Sequence, residues 1–420
     1  MTIQTLQADW ILGATLAPIP NGFCQFDSES GQIVSVSSGE PMDTTERDFV
    51  TILTPGLING HTHLELFSDT PIPCEAGQSM GDWLLEAAQL NRKLTRDNRL
   101  QNVKDSLSEL LATGCTFVND VSCDGSSAIV MQEMGMRGRV CMEFFHPQQS
   151  VQQAVLEHLK YSELENNLSK TRFVQAGMSP HSPYNVSPAG LNAVLEKFQP
   201  DWIHCHVAES EDEVQWFKGE PSLIDAVHER FLGQKFDPAF AGKTSFEHLQ
   251  MSFKHARQAQ WVLVHGNYLT ASDLDKMAQE EKVALVHCPL SNAWLQHQPL
   301  DTAEILARKI PLVFGTDSRL SVPSLDLRAE ARDAVQLGMS LEQAFLILTS
   351  AGAQALGQNT LGKIEAEYQA DLVLWRAPKL LGLSPLELFF APETCVEAVF
   401  IAGKQIKIKD PSLLNKGLLK

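Results

Sequence analysis

Eight strand–helix units set between two strand-rich chain ends predict an α/β protein. The expected architecture is a (β/α)8 TIM barrel with a small β-sandwich built from both termini. Three observations carry this. From residue 55, apolar runs alternate with stretches whose apolar residues recur at helical spacing. Counting the run that enters His61, the alternation gives eight units, enough to close a parallel sheet through right-handed crossovers. Residues 1–54 and 364–420 instead carry short strands and turns, each set too thin to bury a core alone. The expected division is 1–54 and 364–420 for the sandwich and 55–363 for the barrel.

In order along the chain, Trp10–Leu12, Gly22–Phe26 and Gly31–Val36 read as strands of a small antiparallel unit, broken by Pro20-Asn21-Gly22 and Ser28-Glu29-Ser30-Gly31. The first barrel strand runs into Pro55-Gly56-Leu57-Ile58-Asn59-Gly60-His61-Thr62-His63. Asp82 caps a helix carrying Trp83, Leu84, Ala87, Leu90 and Leu94, and a second helix spans Asn98–Ala112 before Gly114. Strands are expected at 115–121, 138–145, 172–178, 202–207, 261–265, 283–288 and 311–315. Helices lie between them, among them 150–167, 187–198, 246–258 and 325–337. After a helix at 341–356 the chain returns to strands at Ala370–Trp375 and Cys395–Ile406.

Composition narrows the function classes. The net charge is −18 with a pI near 5.1, a poor match for nucleic acid or anionic membrane, which need clustered Lys and Arg. The eight cysteines form no C-x-x-C pair and several sit in apolar runs, as expected of reduced, buried thiols. No secretory signal or membrane-spanning stretch is read, so a cytoplasmic protein is expected.

Chemistry concentrates at strand ends. His61 and His63, spaced i and i+2 on a strand, face one way and can hold an ion from one side. His204 and His206 repeat the spacing, and one of them can point into the barrel without touching metal. Glu209 falls just beyond that strand, where Glu209–Glu213 also reads as an acidic helix start. Further strands end at His265 and at Asp317. Strand C-termini form the functional rim of such barrels. Imidazoles plus one carboxylate on that rim suit a divalent transition metal with an open position.

These residues, His61-Thr62-His63 after Pro-Gly-Leu-Ile-Asn, His206-x-x-Glu209, His265 and Gly-Thr-Asp317-Ser318, resemble the amidohydrolase superfamily. The closest likeness is to its mononuclear aminohydrolases: cytosine, guanine and adenosine-type deaminases, methylthioadenosine/S-adenosylhomocysteine deaminases and triazine hydrolases. The resemblance extends through Ser179–Tyr184, His287–Asn292 and Ala370–Val373. It implies that His61, His63, His206 and Asp317 hold one divalent ion, Zn²⁺ with Fe²⁺ as the alternative, which turns water into hydroxide. It also implies that Asp317 takes the water proton, that Glu209 protonates a ring nitrogen beside the attacked carbon, and that His265 orients the water, with ammonia expelled. The fourth strand, Arg172–His181, lacks the lysine that bridges two metals in binuclear members.

The implied activity is hydrolytic deamination of an aminopurine nucleoside or related amino-heterocycle. A chloro- or alkylamino-triazine hydrolase is the alternative, and a non-catalytic scaffold the remote one. His63-Leu64-Glu65-Leu66 resembles the aminodeoxyfutalosine-type deaminases. His181, Trp83 and Arg319 are the expected substrate contacts, and His287 ends a stretch that packs near substrate in relatives. The expected partner is a small-molecule substrate, with neither nucleic acid nor membrane, and with a homodimer left open.

Overall fold

The computed structural model describes residues 2–40, 47–75, 78, 80–145, 159–169, 171, 173–232 and 241–407. Two sheets organise them. The first contains β1 (Ile3–Ile11), β2 (Ile19–Asp27), β3 (Gln32–Ser38) and β4 (Phe49–Pro55). The second contains β5 (Leu57–Thr62), β6 (Cys115–Ser122), β7 (Arg137–Phe144), β8 (Val174–Pro180), β9 (Trp202–Val207), β10 (Gln260–His265), β11 (Val283–His287) and β12 (Leu312–Phe314). The chain then returns to the first sheet as β13 (Leu372–Pro378), β14 (Cys395–Ile401) and β15 (Lys404–Ile406).

The second sheet is the expected eight-stranded parallel barrel, ordered β5 through β12 without interruption. Alternation along each strand sorts its side chains. Val262 and Val264 of β10 join Ile58, Phe117, Ala284, Val286 and Val313 inside the barrel. Trp261, Leu263, Val283 and Leu285 face the surrounding helices. Closure between β12 and β5 is made by backbone and amide groups. Thr316 and Asp317 N–H donate to the His61 carbonyl at 3.1 Å, and Asn59 Nδ2 donates to Thr316 Oγ1 at 2.8 Å. Two glycines permit this seam. A Cβ on Gly60 would lie 2.7 Å from Val313 Cγ1, and one on Gly315 would lie 2.9 Å from His61 Cβ.

The first sheet unites both chain ends in the order β15-β14-β13-β4-β1-β2-β3. It folds over its own core, so that Phe26 of β2 meets Phe400 of β14 edge-on at 5.9 Å among Ile33, Leu53 and Leu372. The N-terminal strands are antiparallel as expected through β1–β3, but β4 pairs parallel with β1. Trp375 of β13 donates its indole N–H to Thr54 of β4 at 2.8 Å and packs on Phe389, a buried aromatic with a satisfied polar end.

Helix limits shift modestly from expectation. Met80–Lys93 begins two residues before Asp82, which lies in the first turn rather than at the cap. The next helix starts at Arg96, because Thr95 and Asn98 form a reciprocal capping box. Of the expected helix 150–167, residues 150–158 lie outside the described residues, and Leu159–Leu168 is helical. The expected 246–258 helix is Ser245–Gln250 followed by a short 3-10 turn, Phe253–His255. Among the described residues no helix is long and apolar enough to cross a membrane.

Candidate active site

His61 is the penultimate residue of β5, and His63 lies one residue past its end. His61 is fully buried. Its Nδ1 lies 2.8 Å from His204 Nε2, and its Nε2 has no hydrogen-bond partner among the described residues. His204 and His206 both point inward, beside Val262 and Val264 of β10, but only His206 reaches the mouth; His204 lies behind His61. The His206 Nδ1–H donates to the His181 carbonyl at 2.7 Å, which aims its Nε2 at His63 Nε2, 3.3 Å away. Such a bond from the far ring nitrogen holds an imidazole in a metal-binding pose.

Asp317 completes the cluster from the segment after β12. Its Oδ1 lies 3.5 Å from His61 Nε2 and 3.9 Å from His63 Nε2. Its Oδ2 accepts from Ser291 Oγ at 2.7 Å and Ser321 Oγ at 2.9 Å. One carboxylate oxygen is thus saturated and the other left toward the imidazoles. Two overlapping triads, His61/His63/Asp317 and His61/His206/His265, each bring their ligand atoms within 4.8 Å of one another. Bonds of about 2.0–2.1 Å in tetrahedral geometry imply ligand–ligand edges of about 3.4 Å. The separations of 3.3 and 3.5 Å match that edge, and the unpartnered His61 Nε2 is the atom such an ion would use. The residues fit a divalent metal ion.

Electrostatics agree. Burial lowers the pKa of His61 and His206 and brings that of His63 to about 3, so the rings present neutral lone pairs. Burial alone would raise the Asp317 carboxyl. Proximity to His61, and then to His63 and His265, acts the other way and lowers it below the usual carboxylate range.

Glu209 and His265 stand beside this cluster. Burial, with the Asp317 charge, pushes Glu209 up to about 8, so it carries a proton at neutral pH. His265 Nε2 is 3.4 Å from Glu209 Oε1. Its Nδ1–H donates to Asn292 Oδ1 at 3.0 Å, and Asn292 is held in turn by a bond to Asn267 at 3.0 Å. Three residues on this rim adopt left-handed backbone without being glycine: Ala208, His265 and Asp317, with φ of 48°, 72° and 58°. Such conformations cost of order 1–3 kcal/mol each and cluster where the surroundings enforce a functional pose.

A cavity of about 350 Å3 opens above the cluster, lined by His63, His206, Glu209, His265 and Asp317 on its floor. Its walls include Leu66, Met80, Trp83, Leu84, Ala87, Ile224 and Val227, an apolar enclosure with a polar floor. A larger depression of about 840 Å3 beside the Thr302–Ala307 helix holds no histidine and lies apart from this chemistry.

Of the expected substrate contacts, His181 and Trp83 line the cavity. Trp83 also packs with Ile72, Leu295 and Leu320, so its core and cavity roles coincide, and its buried indole N–H has no hydrogen-bond partner among the described residues. Arg319 requires correction. It does not line the cavity; its Nε pairs with Glu109 at 3.2 Å and its Nη1 donates to the Val322 carbonyl at 2.8 Å. Its guanidinium is engaged by the half-buried Glu109 carboxylate and a backbone carbonyl rather than by the cavity. His287 is buried beside Phe314 and is likewise absent from the lining. Glu65, within the futalosine-type signature, is buried behind β5, bonded to Ser122 and paired with Arg99 at 3.0 Å.

Several supporting residues carried no signal of their own in the sequence. Ser321 and Asn267 belong to no motif, and Ser291 and Asn292 sit in a noted stretch without an evident task. Glu213, which reads as part of an acidic helix start, accepts from the backbone N–H groups of Ala208 and Glu209 at 3.1 and 2.8 Å and so fixes the Glu209 turn.

Comparison with known proteins places this arrangement. An adenosine deaminase of Helicobacter pylori is 26% identical over 417 residues, covering 94% of this chain and 99% of its own length. The crystal structure of Helicobacter pylori aminofutalosine deaminase superposes with a TM-score of 0.79 at 21% identity, covering 97% of this chain and all of that one. An atrazine chlorohydrolase from Arthrobacter aurescens, solved with zinc, shares the fold with a TM-score of 0.72 at 16% identity, covering 96% and 94%. The model of the amidohydrolase family matches residues 52–406, and the chain belongs to that family.

Proposed function

We propose that the protein is a metal-dependent hydrolytic deaminase of a 6-aminopurine nucleoside or a close amino-heterocycle. The observation that carries this reading is Glu209. It is a buried carboxyl at the floor of a ligand-sized cavity, 3.4 Å from His265, where burial favours its protonated form, and it stands beside side chains that could hold a metal ion. Similarity to an adenosine deaminase and an aminofutalosine deaminase supports the same class.

His61, His63, His206 and Asp317 would hold the ion, with Zn²⁺ the best match to three imidazoles and one carboxylate. A divalent ion so bound supplies acidity, lowering the pKa of a water from ~16 to about 7. The remaining work falls to the chain. Asp317 receives the proton released as water adds to the ring carbon. Glu209 delivers its proton to the adjacent ring nitrogen, making that carbon electrophilic. His265, held in one tautomer by Asn292, keeps a lone pair toward the entering water. As the C–N bond breaks, the proton held by Asp317 passes to the departing amine and the hydroxyl proton of the adduct returns to Glu209, so a ring C–NH2 and water become a ring carbonyl and ammonia. Proton transfers of this kind contribute roughly 10²–10⁴-fold. All eight cysteines are free thiols, which supports a reducing, cytoplasmic setting.

The test is product release from a panel of aminopurine nucleosides, nucleobases and chlorotriazines, with metal content measured on the same sample. Ammonia from at least one aminopurine is expected. Chloride release from a triazine without any ammonia would replace the reading with the dechlorinating one, and silence across the panel with metal bound would remove both.

A further inference from the structure

The cavity has a second polar feature, carried by the ends of β7 and β8. Glu143 is the penultimate residue of β7 and lines the cavity, yet its side chain is only 5% exposed. Its Oε2 is met by Cys123 Sγ at 3.6 Å, while its Oε1 is buried and has no hydrogen bond among the described residues. A buried carboxyl oxygen left unpaired forfeits its solvation with nothing in return, so a position like this calls for a partner.

Opposite it, His181 is held in one tautomer by a chain of bonds. His228 Nε2–H donates to Asn185 Oδ1 at 2.8 Å, and the Asn185 amide N–H then donates to His181 Nδ1 at 2.7 Å. With Nδ1 accepting, the neutral His181 ring must carry its proton on Nε2. That N–H points toward Glu143 Oε1 across 3.9 Å, too far for a hydrogen bond between them. A single atom can sit about 2.9 Å from both. It must accept from His181 and satisfy the carboxyl. A hydroxyl does so in either protonation state of Glu143, because it both accepts and donates, whereas a ring nitrogen offers one lone pair and no proton.

We infer that Glu143 and His181 form a two-point site for a substrate hydroxyl, which makes Glu143 a specificity-determining residue for a sugar-bearing base over the bare heterocycle. This rests on the nucleoside-deaminase reading and adds to it which part of the substrate is recognised, and by which residue.

The test compares adenosine with its 2′-deoxy, 3′-deoxy and 5′-deoxy analogues on the wild type, Glu143→Leu and Glu143→Gln. Two readouts are taken: kcat/KM of the metal-loaded protein, and Kd for metal-free protein, which is independent of turnover. For at least one analogue the wild type should show a penalty of about 10–100-fold in both readouts. That ratio should collapse toward one in Glu143→Leu, mainly through KM, and be partly retained in Glu143→Gln. If Glu143→Leu leaves the ratio unchanged, or if wild type shows no hydroxyl penalty, the inference is overturned. If wild type releases no ammonia but metal-free protein keeps a hydroxyl penalty that Glu143→Leu removes, the hydroxyl site stands and the deaminase reading fails. Absence of nucleoside binding altogether overturns the site.

Discussion

Two buried aspartates, Asp371 in the terminal sheet and Asp317 on the barrel rim, are used in opposite ways. Asp371 begins the run into β13, and both its oxygens are consumed by Arg137 at 2.8 and 3.0 Å, with Ala402 N–H added at 2.8 Å. Nothing is left over, and the pair fastens the sheet to the barrel. Asp317 has one oxygen saturated by two serines and the other turned toward histidines whose nearest nitrogen has no hydrogen bond. Its backbone is left-handed, whereas Asp371 is not among the positive-φ residues. Burial is similar at 3% and 8%, so burial does not separate fastener from ligand. Unsatisfied atoms held in a strained, over-determined frame do.

The largest contrast should appear when each aspartate loses its charge. Asp317→Asn should abolish tight metal binding and lower turnover by at least about 10³-fold, read by metal content and ammonia release with little change in Tm. Asp371→Asn should do the reverse. Leaving the Arg137 guanidinium uncompensated costs about 3–5 kcal/mol and lowers Tm while metal stoichiometry holds. Metal loss in both variants would erase the distinction.

Next in size is Glu209→Gln, which should reduce kcat by about 10²–10⁴-fold at unchanged metal content. The pH profile sharpens the same point. A proton donor with its pKa raised to about 8 is competent below that pH and loses its proton above it, so wild-type kcat/KM should fall as pH rises through about 8. That alkaline limb should be absent in Glu209→Gln; a limb that persists unchanged there belongs to another group. Smaller still is Asn292→Ala, which frees the His265 ring from its tautomer. A loss of about 10–100-fold in turnover is expected, with Tm nearly constant.

The sequence made the proposed ligands legible because each ends a strand that the hydrophobic alternation already locates. His61, His63, His206 and Asp317 could be placed on one rim before any coordinates existed. The barrel was legible for the same reason, as was the pairing of two chain ends too thin to fold alone. What stayed hidden depends on long-range partners. Ser291 and Ser321 matter only because Asp317 arrives between them, and Glu213 only because the chain turns back at Ala208. Arg319 misled because adjacency to Asp317 in sequence says nothing of Glu109, which lies far away along the chain and captures the guanidinium. Glu143 offered no pattern at all. It is one acidic residue at the end of an apolar strand, and its interest lies in an oxygen with nothing to bind.

The central claim is that one metal centre, assembled from the unsatisfied rim, makes this chain a deaminase. Its most direct test is titration of metal-free protein with Zn²⁺ while ammonia release from an aminopurine nucleoside is followed. Activity should rise in proportion to added metal and level off at about one equivalent per chain. Full metal uptake with no ammonia, or undiminished ammonia release by metal-free protein, would contradict it.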